Sequence, residues 1–74
     1  TGDAIPYAFP VRRRPLALSL NNLGIVARRR GDPERAATLF EESLAIWREL
    51  GDRLRQALAL NNLGYNLADQ GRNL

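Results

Sequence analysis

The chain contains one eight-residue segment twice: Ala-Leu-Ser-Leu-Asn-Asn-Leu-Gly at residues 17–24 and Ala-Leu-Ala-Leu-Asn-Asn-Leu-Gly at residues 57–64. The two copies start 40 residues apart and differ at a single position. Gly31 and Gly71 recur at the same offset. A period of about 40 residues is typical of solenoids built from stacked helical units. The duplication therefore predicts a helical repeat architecture.

Two short joints divide the rest of the chain into helices. Residues 31–34 read Gly-Asp-Pro-Glu, and residues 51–52 read Gly-Asp. Glycine suits a left-handed C-terminal cap, aspartate an N-cap, and proline the first helical position. The joints predict helices over residues 16–30, 33–50 and 53–70, and connections this short make successive helices antiparallel neighbours.

The apolar residues of these helices fall at helical spacing, which predicts interior contacts between them. The predicted structural positions are Leu20, Leu23, Gly24, Ala36, Phe40, Trp47, Leu60, Leu63 and Gly64. A glycine in the middle of a helix costs up to about 1 kcal/mol relative to alanine. Gly24 and Gly64 therefore predict places where a neighbouring helix approaches closely, with Phe40 or Trp47 filling the adjoining space.

These residues together resemble the tetratricopeptide repeat, in which Leu-Gly in the first helix of a pair is followed by Ala, an aromatic and a small residue in the second. The pattern lies on Leu20, Leu23–Gly24, Ala27, Ala36, Phe40 and Ser43. The wording is similar to the longer repeats of kinesin light chains and of large bacterial regulators. The resemblance implies an all-α fold of antiparallel helical hairpins stacked as a right-handed superhelix, with residues 16–50 as the first hairpin and 51–74 as the first helix of a second repeat.

Residues 1–15 differ in kind from the rest of the chain. Pro6, Pro10 and Pro15 argue against a continuous helix, so we expect an extended or disordered N-terminal arm. Apolar residues nevertheless alternate with smaller ones from Ile5 to Val11. Two interpretations stay open: the arm packs on the helices or on a second copy, or it is disordered or the remnant of an upstream domain.

Composition limits the chemistry that this chain can perform. The 74 residues include no Cys and no His, so thiol and imidazole catalysis are excluded, and we expect no metal and no cofactor. Glu41 and Glu42 are adjacent carboxylates on the polar side of the second helix, which is typical of a solvated surface. We therefore expect a protein that is not an enzyme. The lack of Cys favours a reducing compartment, which suggests a cytoplasmic location.

All eleven basic residues are Arg, and the formal net charge is +3. One hypothesis is that the Arg clusters at residues 12–14 and 28–30 bind nucleic acid. The other is a genome-wide preference for Arg over Lys, because the guanidiniums are scattered among eight carboxylates. We favour the second and keep nucleic-acid binding as the alternative function.

The resemblance also implies where a ligand would bind, because the first helix of each tetratricopeptide repeat lines the concave surface. The positions carried across are Leu18, Asn21, Ile25, Arg28, Arg29, Leu58, Asn61, Tyr65 and Asp69. An amide side chain offers donors and an acceptor, so Asn21 and Asn61 could hold the backbone of an extended peptide. An alternative is that these amides bond neighbouring helices and fix their stacking. Arg28 to Arg30 either select an acidic ligand or form a solvated helix end that complements the dipole.

The expected function is a scaffold for protein–protein interaction, binding a peptide or a partner protein on the concave surface. The resemblance to bacterial regulators suggests a fragment of a larger regulatory or signalling protein. The last helix lacks a partner helix and leaves apolar residues near Leu63 and Leu67 without cover. We therefore expect homo-oligomers to form through this open end. No membrane span is expected, because no apolar run approaches about 18 residues.

Overall fold

The computed structural model describes residues 5–72, with side chains described over residues 12–71. Three helices follow one another: α1 (Ile5–Arg29), α2 (Pro33–Leu50) and α3 (Arg53–Arg72). The middle helix packs against both others, whereas α1 and α3 make few direct contacts. The expected all-α architecture of antiparallel hairpins is confirmed, with α1 and α2 forming one hairpin and α3 stacked on α2.

Local capping explains why α2 begins and ends where it does. Gly31 and Gly51 have φ angles of 81° and 69°, the left-handed region that glycine adopts without strain. The carboxylate of Asp32 accepts a hydrogen bond from the backbone N–H of Arg35 at 3.2 Å. Asp52 does the same for Arg55 at 3.0 Å and begins α3. Each joint therefore ends one helix and starts the next within two or three residues.

The first helix begins eleven residues earlier than predicted, so the expectation of an extended or disordered arm is wrong for residues 5–15. Pro6 falls in the first turn, where backbone N–H groups have no helical partner and a proline is tolerated. Pro10 and Pro15 each remove one hydrogen bond from the interior of the helix. The neighbouring backbone bonds keep the helical path despite these losses. Residues 1–4 lie outside the described residues.

The core consists of two clusters placed on opposite halves of α2. In one, Trp47, Leu44 and Ile46 of α2 pack between Ala17 of α1 and Ala59 of α3. In the other, Phe40 and Ala36 pack against Ala27 of α1. Leu63 of α3 is half-buried and packs against both clusters. Because α2 supplies most of the buried side chains, α1 and α3 are held in place mainly by packing on α2.

Burial separates the predicted interior positions into two groups. Gly24, Ala36, Phe40 and Trp47 are buried, and Leu20 and Leu63 are half-buried against the clusters. Leu23 and Leu60 were expected inside, but they are 54% and 50% exposed.

The internal repeat explains both exposed leucines. Leu63, the equivalent of Leu23, packs on the helix before it, and no such helix precedes α1 among the described residues. Leu20, the equivalent of Leu60, packs on the helix after it, and none follows α3 in that range. The position of Leu23 and Leu63 is therefore buried only where a helix precedes it, and the position of Leu20 and Leu60 only where a helix follows it.

The two mid-helix glycines also differ. A Cβ atom added to Gly24 would lie 2.6 Å from Cε1 of Phe40, so the predicted close approach is confirmed there, with Phe40 as the partner. A Cβ atom added to Gly64 meets no atom within 4 Å. The expectation of a close approach at Gly64 is therefore wrong for the described residues, since no helix lies beside that side of α3.

Candidate functional site

α1 and α3 contact each other at a few places along their lengths, and the side chains at these places form a surface to which both helices contribute. We call this surface the paired face. Its members, which contact each other or share a cleft between the helices, are Leu18, Asn21, Arg28, Leu58, Asn62, Tyr65 and Asp69. Three of its apolar side chains face solvent: Leu18 is 41% exposed, Leu58 46% and Tyr65 56%.

Two asparagines join the helices near the middle of the paired face. Nδ2 of Asn62 donates a hydrogen bond to Oδ1 of Asn21 at 2.7 Å. The bond links residues 41 apart, not the 40 of the repeat, because equivalent positions point in the same direction and cannot face each other. Asn21 therefore contributes to helix stacking, one of the two roles left open by the sequence. Both N–H donors of the Asn21 amide and the oxygen acceptor of the Asn62 amide are not used by this bond.

A charged pair joins the same helices about two turns further along. Nε of Arg28 donates to Oδ2 of Asp69, and the guanidinium carbon lies 5.5 Å from the centroid of the Tyr65 ring. The hydrogen bond to Asp69 is the main reason that the pKa of Arg28 is raised above its ordinary value. The positive charge of Arg28 is therefore matched within the chain by the carboxylate of Asp69. Arg28 is a stacking residue, and it holds Tyr65 on the paired face.

A small cleft opens between α1 and α3 at the other end of the paired face. Its volume is about 40 Å³. The lining residues are Leu18, Asn21, Trp47, Arg55, Leu58 and Ala59. The guanidinium carbons of Arg14 and Arg55 lie 5.7 and 5.8 Å from the centroid of the Trp47 ring. These two contacts help to position the indole ring at the floor of the cleft. An apolar floor and walls with polar groups at the rim suit a single small apolar side chain with its backbone at the rim.

The remaining predicted site residues lie around the paired face. Asn61 and Arg29 are exposed and make no hydrogen bond among the described side chains. Ile25 is half-buried and packs partly against the cluster of Ala27, Ala36 and Phe40, so much of its surface serves the hairpin.

The site predicted from the sequence included neither Asn62 nor Asn66. Asn66 is fully buried, and its Nδ2 donates to the carbonyl of Pro33 at 2.8 Å, which ties α3 to the start of α2. Its Oδ1 has no partner among the described atoms. The signal available in the sequence was the departure from the repeat, since the equivalent position in α1 is Val26. An amide that replaces an apolar repeat residue indicates a specific polar contact.

Three of the eleven arginines form ion pairs among the described side chains. Arg13 pairs with Glu49, Arg14 with Asp52 at 3.2 Å, and Arg28 with Asp69. The adjacent carboxylates Glu41 and Glu42 are exposed on α2. Over the described part of the chain, no group of acidic residues is arranged to hold a metal ion. None of the helices within residues 5–72 has the length and apolarity needed to cross a membrane.

Comparison with known proteins identifies one family. The family model described as the tetratricopeptide repeat matches residues 15–73, which is most of the chain. No curated protein and no solved structure matches the sequence significantly. The matched range contains all of α2 and α3 and all of α1 except its first ten residues. Every residue of the paired face lies within it.

Proposed function

The chain belongs to the tetratricopeptide repeat family, and we propose that its paired face binds an extended segment of a partner protein. Such repeats generally mediate protein–protein interaction. The observation that carries the proposal is the row of exposed apolar side chains Leu18, Leu58 and Tyr65 on the one surface to which α1 and α3 both contribute. Exposed apolar groups interleaved with amides are the features by which a surface takes up peptide.

The dimensions of the paired face suit a short segment. Residues 18 and 28 of α1 are ten steps apart along the helix, or about 15 Å at about 1.5 Å per residue. An extended peptide advances about 3.3 Å per residue, so roughly four or five residues would cover this length. One small apolar side chain would enter the cleft beside Leu18 and Leu58, and a second would lie against Tyr65.

The asparagines would hold the backbone of that peptide. A donor of the Asn21 amide would bond a peptide carbonyl, and the oxygen acceptor of Asn62 would accept from a peptide N–H. Because Asn21 and Asn62 already bond each other, both amides are oriented before the ligand arrives. Preorganised side chains lose less entropy on binding. Recognition of the backbone would tolerate several sequences, which fits a scaffold in a larger regulatory or signalling protein.

Nucleic-acid binding gains less support from the charges. Arg13, Arg14 and Arg28 are each paired with a carboxylate, which lowers the charge that they would present to a phosphate backbone. Salt dependence separates the two functions, because binding to a duplex weakens with a log–log slope of about −0.9 per neutralised phosphate. Binding through amides and apolar groups is expected to change little with salt.

A matched pair of leucines on α3 tests the proposal. We would screen the chain against an immobilised peptide array and measure the affinity of the best peptide by titration calorimetry. Leu58→Ala is expected to weaken binding about fivefold to tenfold, the range for truncating a contact worth about 1 kcal/mol or more. Leu60→Ala is the control, because Leu60 has nearly the same exposure, 50% against 46%, on a different side of the same helix.

Equal affinities of the Leu58→Ala and Leu60→Ala variants would place the bound peptide somewhere other than the paired face. If the chain bound no peptide of the array more tightly than it bound scrambled-sequence control peptides, the proposal as a whole would be contradicted.

A further inference from the structure

The paired face differs in charge between its two ends. At one end, the guanidinium of Arg28 is matched by the carboxylate of Asp69. The cleft lies at the other end, and Arg55 is the one charged residue among the described residues that line it. Residues 12–14 and 48–55, which are joined by ion pairs at this end, contain six arginines and two carboxylates. The cleft therefore lies at a cationic end of the paired face.

The guanidinium of Arg55 forms no ion pair among the described side chains. Both oxygens of Asp52, the N-cap of α3, are already engaged. Oδ1 accepts from the backbone N–H of Arg55 at 3.0 Å, and Oδ2 accepts from Nη1 of Arg14 at 3.2 Å. Glu49, the other carboxylate at this end, is paired with Arg13. The side-chain donors of Arg55 are therefore available to an anion from outside the described residues.

The indole ring of Trp47 orients these donors. The guanidinium carbon of Arg55 lies 5.8 Å from the ring centroid, within the range of a cation–π contact. Trp47 is buried, whereas Arg55 is exposed. A guanidinium that lies on a ring face keeps the N–H groups at its edge free, and two of them can bond one carboxylate in parallel. Because the side chain is held before a ligand arrives, less entropy is lost on binding.

The separation of the cleft from this charge sets the spacing that a ligand needs. Arg55 precedes Leu58 and Ala59, which line the cleft, by three and four residues, or about 4.5 to 6 Å along α3 at about 1.5 Å per residue. Two residues of an extended peptide advance about 6.6 Å and point their side chains to the same side. A peptide with one side chain in the cleft therefore brings the side chain two residues away to Arg55.

We propose that the segment bound by the paired face carries an aspartate or a glutamate two residues from the small apolar residue that enters the cleft. The carboxylate of this acidic side chain accepts hydrogen bonds from the guanidinium of Arg55. This inference rests on the proposed function and names the class of segment that the surface selects. One ion pair adds a weak salt dependence to peptide binding, far below that of a duplex with many neutralised phosphates.

A positional peptide array tests this preference. Its members are acetylated and amidated heptapeptides with valine at the centre. The residue two places before or after the valine is aspartate, asparagine or lysine, and the other positions vary. The fluorescently labelled full chain is expected to bind the aspartate peptides most and the lysine peptides least. In solution, the best aspartate peptide should bind about twofold to fivefold more tightly than its asparagine counterpart, the range for one exposed ion pair.

Two arginines of α3 provide matched variants of the chain. Arg55→Gln is expected to remove the preference for aspartate over asparagine. Arg53→Gln changes the net charge equally and should keep the preference, because side chains two residues apart on a helix point about 200° apart and Arg53 does not line the cleft. Arg55→Glu should reverse the preference, so that the lysine peptide binds more tightly than the aspartate peptide. Both arginines are exposed, and circular dichroism with thermal melting verifies the fold of each variant.

Equal affinities for the aspartate and asparagine peptides, in a chain whose peptide binding is weakened by Leu58→Ala, would overturn this inference and leave the proposed function in place. Equal loss of the preference in Arg53→Gln and Arg55→Gln would also overturn it, because general attraction by positive charge would then be the cause. So would tighter binding of a peptide that ends at the valine with a free carboxylate, since Arg55 would then bind a chain terminus. If no peptide binds, the inference and the proposed function are both contradicted.

Discussion

Gly24 and Gly64 occupy the same position of the repeat in opposite surroundings, and they give a prediction of opposite sign. Gly24→Ala places a Cβ atom against the buried ring of Phe40, so we expect it to lower the free energy of unfolding by about 1 to 3 kcal/mol. Gly64→Ala meets nothing and gains helix propensity, so we expect it to raise that free energy by up to about 1 kcal/mol.

Urea denaturation of the two glycine variants and the parent chain measures both changes. The larger variant Gly24→Leu should destabilise the hairpin at least as much as Gly24→Ala. If Gly24→Ala and Gly64→Ala changed the free energy of unfolding by the same amount and in the same direction, the close contact between Phe40 and Gly24 would be contradicted.

The bond between Asn21 and Asn62 gives a second prediction at this scale. Asn21→Ala and Asn62→Ala should each lower the free energy of unfolding by about 0.5 to 1.5 kcal/mol, and the double variant should lose less than the sum. Asn61→Ala is the control, because Asn61 is exposed beside Asn62. A coupling energy of zero in the double-mutant cycle would show that the amides do not bond in solution.

Sequence could identify individual residues only as far as the repeat specifies them. The burial of Phe40 and its contact with Gly24 follow from the repeat pattern. The contacts of Asn62 and Asn66 do not, because each joins positions that the repeat does not align. A period identifies equivalent residues, whereas a stacking contact joins residues that are not equivalent.

At the scale of the elements, the Gly-Asp joints determined the helix boundaries well. The range predicted for the second helix is that of α2, and α3 begins at the predicted residue, because glycine and aspartate act locally through backbone angle and side-chain acceptor. The start of α1 was not predictable in this way. Three prolines counted against a helix, yet each costs only a limited number of backbone bonds within a long helix.

The N-cap of α3 predicts how stability varies with pH. The pKa of Asp52 is lowered mainly by the hydrogen bond from the backbone N–H of Arg55, with a smaller contribution from Arg14. A carboxyl whose pKa is lower in the folded state stabilises that state at pH values above its unfolded pKa of about 3.9. This contribution is lost as the pH falls through that value toward the lower folded pKa.

Asp52→Asn tests the pH dependence, because asparagine is also a good N-cap but does not titrate in this range. Thermal melting between pH 2 and pH 7 should show a smaller acid-induced drop in Tm for Asp52→Asn than for the parent chain. Asp32→Asn serves as the comparison at the other joint. If Tm fell with pH in the same way for Asp52→Asn and for the parent chain, the titration of the Asp52 carboxyl would not contribute to the stability of the α3 cap.

For the whole molecule, the sequence determined the class of fold but not which surfaces are covered. Leu23 and Leu60 fit the interior pattern as well as Leu20 and Leu63 do, yet they face solvent. Burial depends on whether a neighbouring helix is present, and a pattern within one unit carries no information about that. The predicted site residues lie on α1 and α3, but the hydrogen bonds of Asn21 and Arg28 to residues of α3 could not be predicted from the sequence.

The central claim is that the face shared by α1 and α3 binds a partner peptide. Its most direct test is a map of backbone amide shifts in ¹⁵N-labelled chain on addition of the best peptide from the array. We predict the largest shifts around Leu18, Asn21, Leu58 and Tyr65. Shifts confined to the charged outer side of α2, or to the side of α3 that carries Leu60 and Gly64, would contradict it.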